Sequence, residues 1–163
     1  MSTPSHAAGA PRGDKRFLYD ADAVEWHEFF TPGTHYRILN VDRARRSADM
    51  LVRFEPDSQC MYHRHAARTT TLVLEGELRV REQVDGGEVV RVKPAGSYSI
   101  GGEAEVHIEG SGGEQAVIFF SMQSDSEVIY ELLNEDLSLR RAVTVADFER
   151  DWREHWPQDT NAG

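Results

Sequence analysis

From Tyr36 to Leu133 the chain is a series of short β-rich stretches, each stopped within a few residues by a turn signal. The stretches that read as strands are Tyr36–Val41, Ala48–Phe54, Gln59–His65, Thr69–Glu82, Glu88–Lys93, Ser97–Ile100, Ala104–Glu109, Gln115–Met122 and Val128–Leu133. The punctuation comes from Thr31-Pro-Gly33, Glu55-Pro-Asp57, Asp85-Gly-Gly87, Pro94-Ala-Gly96, Gly101-Gly102 and Gly110-Ser-Gly-Gly113. Proline presets and glycine frees the backbone angles that a reversal needs. Asp85-Gly86 between two β-rich runs is a hairpin signal. Many short strands at close spacing point to an all-β sandwich or barrel.

The end of the chain reads differently. Thr144-Val-Ala-Asp147 resembles a capping box with Asp in place of Glu, opening a helix that runs through Trp156 with Pro157 just beyond it. Val145, Phe148, Trp152 and Trp156 recur at roughly helical spacing, a stripe suited to docking on the barrel or on a partner subunit. The organisation expected is a leader at 1–14, a barrel at 15–143, a helix at 144–157 and a tail at 158–163. A chain of 163 residues is long enough to bury one core unaided.

Charge and cysteine content narrow the setting. A formal charge of −10 repels a nucleic-acid backbone, and the short basic run Arg43-Ala-Arg-Arg46 reads as a solvated loop. Cys60 is the single cysteine, so no intrachain disulfide can form, which suits a reducing compartment. Met1–Gly13 has no apolar segment of the kind a secretory signal needs, and no apolar run approaches the ~20 residues that span a bilayer. A cytoplasmic protein with neither nucleic-acid nor membrane partner is expected.

The chemistry sits in three histidines. Alternation along a strand puts His63 and His65 on one face. If that face lines a barrel, both imidazoles point into one cavity, and neutral imidazole is the commonest side-chain metal ligand. Met61 shares that face, whereas Cys60 and Tyr62 alternate away from it and no thiol ligand is expected. His107, on a later strand, is the candidate third ligand. His6 and His155 read as surface residues, and His27 and His35 have no motif support.

Two motifs then tie these residues to a family. The first cupin motif is Gly-x5-His-x-His-x3-Glu-x6-Gly, and the chain reads Asp57-x5-His63-x-His65-x3-Thr69-x6-Gly76. The second is Gly-x5-Pro-x-Gly-x2-His-x3-Asn, and the chain reads Gly96-x5-Gly102-x-Ala104-x2-His107-x3-Ser111. Over roughly Ala48 to Met122 the sequence thus resembles a cupin, which implies a jelly-roll barrel (a double-stranded β-helix) with the helix appended. The loss of the motif Glu at Thr69 makes it similar to acetylacetone-cleaving dioxygenases and to the cupin domain of zinc-dependent anti-sigma factors.

That resemblance implies one divalent ion held by His63, His65 and His107, Fe(II) first, with Zn, Ni or Mn as alternatives. Three neutral ligands leave the charge of a dication uncompensated, which favours an anionic chelator such as an enolised β-dicarbonyl. The sequence shows no fourth ligand, because Thr69 replaces the Glu and Cys60 is out of phase.

The activity implied is dioxygenation with C–C cleavage of a small dicarbonyl, enol or hydroxy-ketone, with O₂ as co-substrate, in a homodimer. Thr69 and Glu105 are candidates for the chemistry, and Met61 and Thr71 for the pocket wall. A non-redox lyase, isomerase or cyclase, and a non-catalytic metal or small-molecule sensor, remain as other classes.

Overall fold

The computed structural model describes residues 25–101 and 105–155, so the expected leader 1–14 and tail 158–163 lie outside the described residues. In chain order the elements are β1 (His27–Glu28), β2 (Thr34–Asp42), β3 (Ser47–Phe54), β4 (His63–His65), β5 (Arg68–Glu75), β6 (Glu77–Val84), β7 (Gly87–Pro94), β8 (Tyr98–Gly101), β9 (Val106–Gly110), β10 (Ala116–Gln123), β11 (Val128–Leu133), β12 (Leu139–Thr144) and α1 (Val145–His155). They form two six-stranded antiparallel sheets, ordered β1-β2-β3-β10-β5-β8 and β12-β11-β4-β9-β6-β7. The chain passes back and forth between the sheets, giving the jelly roll expected from the motifs.

Period-two patterning fills the space between the sheets. Met50, Val52 and Phe54 of β3 and Ile118, Phe120 and Met122 of β10 face Leu78 and Val80 of β6 and Tyr130 and Leu132 of β11, all buried. Burying a side chain of this size contributes roughly 1.5–3 kcal/mol. That apolar half of the interior offsets the cost of a second, polar half, described below.

Two differences from the sequence reading have identifiable physical causes. The run Thr69–Glu82 is not one strand: it breaks at Gly76, whose φ of 65° belongs to the left-handed region, and the chain leaves one sheet as β5 and enters the other as β6. A Cβ at Gly76 would stand 2.1 Å from the carbonyl oxygen of Gln115. Asp57 stands where the first motif has glycine, and it too is left-handed at φ 57°, a conformation that Asp tolerates better than most residues. β12 has little apolar alternation to read, because Leu139, Arg140 and Arg141 are exposed and only Val143 of Leu139–Thr144 is fully buried.

The helix begins as its capping residues dictate. The Asp147 carboxylate accepts from the Thr144 backbone N–H at 2.9 Å, and the Thr144 hydroxyl accepts from the Asp147 N–H at 3.2 Å. Val145 and Phe148 are buried against the barrel, and the Phe148 ring meets Tyr130 edge-on at 5.9 Å. Tyr36 on β2 donates to Asp151 at 2.5 Å, tying the helix to the first sheet. Trp156 lies outside the described residues. Among the described residues no helix is long and apolar enough to cross a membrane.

Gly76→Ala should lower the unfolding free energy by about 2–4 kcal/mol, from left-handed strain plus the clash with Gln115. Urea denaturation followed by tryptophan fluorescence checks this.

Candidate metal centre

β4 and β9 are antiparallel neighbours in the second sheet, with His63 directly opposite His107. His65 lies two residues along β4, on the same inner face. Glu109 lies two residues along β9, also inward. The structure therefore brings His63, His65, His107 and Glu109 together, all buried, with one ligand atom of each within 4.8 Å of the others. Glu109 is the residue that the sequence reading missed. The rule that pairs His63 with His65 also pairs His107 with Glu109, so the signal was present.

The ring orientations are set from behind. Nδ1 of His63 lies 3.1 Å from the Met61 carbonyl oxygen, which can only accept, so in the neutral ring the proton sits on Nδ1 and the Nε2 lone pair faces the cluster. The Thr69 hydroxyl spends its one proton on the Ala67 carbonyl at 3.1 Å, so it accepts from Nδ1 of His65 at 2.8 Å. His65 is thereby left with a free Nε2. Partners of this kind orient metal-bound imidazoles and fix their tautomer.

The cluster fits a divalent ion. Nε2 of His63 and Nε2 of His65 stand 3.2 Å apart, and two lone pairs at that separation repel unless a cation or a proton lies between them. Two nitrogens each bonded at about 2.1 Å to one ion sit roughly 3.0–3.4 Å apart. Among the described residues both ring nitrogens of His107 are buried without a hydrogen-bond partner, and ligation would remove that cost at one of them. The Glu109 carboxylate lies 3.3 Å from Nε2 of His63 and 3.9 Å from that of His107.

The titration of these groups points the same way. Burial, joined by the neighbouring rings, pushes His65 down to about 3, and burial with His63 and Lys93 pushes His107 down to about 4, so both stay neutral. Burial alone would raise Glu109, but the hydrogen bond from His63 and the adjacent rings hold it at about 2, and it stays ionised. Burial opposes charge on His63 as well, yet Cys60 and Glu109 outweigh it and raise the ring. A proton and a metal ion thus compete for the same place beside His63.

Several expected positions need correcting. Cys60 does not point away: β4 covers only His63–His65, so strand alternation does not extend back to residue 60, and its sulfur lies 3.5 Å from Nδ1 of His63. That is the ring edge opposite the candidate metal position. Cys60 also accepts from the Glu109 N–H at 3.2 Å and donates its own N–H to the Glu109 carbonyl at 2.8 Å. It braces two ligands rather than serving as one. Glu105 precedes β9, is exposed, and stands on the rim of the cavity instead of reaching the donors. The fourth donor thought absent is present in Glu109. His27 stacks on His155 at 3.9 Å and His35 pairs with Glu55 at 2.8 Å, both away from the cluster. His6 lies outside the described residues.

Two cavities meet at the donors. One, about 40 Å³ and apolar, has Phe29, Phe54, Met61 and Phe120 in its wall and touches His63, His65 and Glu109. The other, about 370 Å³, is mixed in character, with Thr69, Thr71, Glu82, Arg91, Lys93 and Ser99 beside Val80 and Ile100 around a floor of His65, His107 and Glu109. Met61 therefore lines the apolar side and Thr71 the mixed one.

This geometry agrees with what comparison finds. Residues 14–126 match the ChrR cupin-like domain, and the chain belongs to that family. It is similar in structure to an RmlC-like cupin of Ralstonia eutropha JMP134, with TM-score 0.68 and 14% identity over 85% of each chain. It is similar to an acetylacetone dioxygenase of Acinetobacter johnsonii, with TM-score 0.69 and 12% identity over 90% of this chain and 96% of that one. A putative acetylacetone dioxygenase of Methylibium petroleiphilum PM1 gives TM-score 0.67 and 17% identity over 87% and 98%. No curated protein matches the chain.

Removing the support of one ligand should loosen the site. Thr69→Val deletes the acceptor for Nδ1 of His65, and affinity for a divalent ion should fall about 10–100-fold with the fold intact. Competition with a fluorescent chelator, beside a circular-dichroism spectrum, reads both quantities.

Proposed function

We propose that this cupin is a mononuclear metal-dependent dioxygenase that cleaves a C–C bond in a small dicarbonyl, enol or hydroxy-ketone, with His63, His65, His107 and Glu109 holding Fe(II). One observation carries the reading: four buried donors converge, and one side of the cluster opens into a cavity of substrate size. Two similar structures named for acetylacetone dioxygenase support it. Bound there, Fe(II) would supply the one-electron chemistry by which an enolate and O₂ react.

The chain's own residues select the charge of what binds. Three neutral imidazoles and one carboxylate leave a dication with a single unit of positive charge, which one enolate neutralises. Glu109 therefore lessens the bias towards anions inferred from the three histidines alone, without reversing it. The Met61 carbonyl and the Thr69 hydroxyl hold the rings of His63 and His65 with Nε2 turned to the cluster, so loading requires the loss of a proton from His63 rather than reorientation of the rings. The apolar wall of Phe54, Met61 and Phe120 excludes water from one flank of the donors.

The test is anaerobic Fe(II) loading, then O₂ uptake with a panel of β-diketones, 2-hydroxyketones and related enols. Turnover of at least one class is expected, and His107→Ala and Glu109→Gln should each lower kcat/KM by about 100-fold or more. No uptake across the panel would overturn the reading. Glu109 itself favours a second one, a closed sensing or structural zinc site, since three histidines and a carboxylate suffice for a tetrahedral shell. X-ray absorption of the zinc-loaded protein distinguishes them, a water or added ligand in the shell supporting the enzyme.

A further inference from the structure

β7 carries its polarity the reverse of an ordinary barrel strand. Its register with β6 sets Leu78 opposite Lys93, Val80 opposite Arg91 and Glu82 opposite Val89. Directly paired residues share a face. Leu78 and Val80 are buried in the core, so Val89, Arg91 and Lys93 stand on that side of the ladder, Lys93 half-buried and the Arg91 side chain still 60% exposed, while Val90 and Val92, each 53% exposed, look outward. Inner positions normally take apolar side chains, because a charge withdrawn from water must be paired or hydrated.

Of the two cations one is paired and one is not, while Glu105 on the rim and Glu109 on the floor add acidic charge to the same cavity. Arg91 pairs with Glu82 at 3.0 Å. Lys93 donates to the Ser99 hydroxyl at 3.0 Å, a neutral partner, and among the described residues no carboxylate pairs with it. Ser99 sits opposite Thr71 on β8, the edge of the first sheet, and β7 is the edge of the second. The Lys93–Ser99 contact thus spans the seam between the sheets, above a floor formed by the metal donors. An inward charge discourages edge-to-edge pairing too. That role does not require a hydroxyl partner inside a cavity leading to the donors.

Resting on the function proposed above, we infer that Lys93 and Ser99 form a carboxylate subsite, and that the preferred substrates are small dioxo acids rather than neutral diketones. The enol oxygens would face the metal donors and the carboxylate would lie at the seam. Lys93 supplies a charge-assisted hydrogen bond. Ser99, accepting from Lys93, keeps its own proton to donate to the second carboxylate oxygen.

Calorimetry on the zinc-loaded protein, where no turnover intervenes, compares 2,4-dioxopentanoate with pentane-2,4-dione. The dioxo acid should bind at least tenfold more tightly. K93Q should lose that advantage while leaving the diketone unchanged, and K93R should retain most of it. Equal affinity for the two compounds, or a K93Q loss common to both, overturns the subsite and leaves the dioxygenase reading standing. Binding of neither compound overturns both. A thermal melt of each variant separates a folding defect from a binding one, and an unfolded K93Q hands the decision to S99A, which should weaken the dioxo acid alone.

Discussion

Three imidazoles and a carboxylate are costly to bury together, and most of the site's construction is a response to that cost. Nε2 of His63 and Nε2 of His65 face one another at 3.2 Å, and His107 presents two buried nitrogens without partners among the described residues. Left alone, such groups would each lose their hydration for nothing. A shared cation relieves the contact between His63 and His65 and satisfies one nitrogen of His107. The surrounding bonds make that solution the favoured one, because the Met61 carbonyl and the Thr69 hydroxyl hold protons on the far edges of the rings. Thr69 therefore replaces the carboxylate of the usual motif with a group that grips a ligand from behind.

How much of this was legible depends on how local each signal is. His63 and His65 follow from strand alternation, and His107 from motif register, since both are properties of a few consecutive residues. Glu109 obeys the same alternation, but the motif has no acidic residue there, and attention to the motif hid it. Cys60 was misjudged because the strand was drawn back to Gln59, whereas only an isolated bridge from Gln59 to Gly110 precedes β4. The division of Thr69–Glu82 into strands of different sheets rests on the close approach of Gly76 to Gln115, a contact between residues far apart in sequence. No local pattern encodes it. β12 was hidden because an exposed edge strand has little apolar alternation to display.

The interior is divided by chemistry rather than by size. On one flank of the donors the wall is aromatic and thioether, and on the other it is hydroxyl and charge. Both flanks come from the same strand patterning, with the odd residues of β5 supplying Thr69 and Thr71 near the donors and Val73 beyond them. The inner face of one strand thus passes from polar to apolar along its length. The core holds the barrel at one end while the other remains wet enough to admit a polar ligand.

Half of the donor set rides on one short strand. β9 spans Val106–Gly110 and presents His107 and Glu109 inward against β4 and β6. A slip of one residue against its neighbours would turn both outward together and bring Val106 and Ile108 into their place. Partial loss of ligands by this route is not available: the set is complete or halved. An ion that binds only the complete set stabilises that one alignment over its neighbours, by mass action. Metal retention therefore acts as proofreading of strand alignment, and a loaded molecule has, by that fact, paired its central strands correctly.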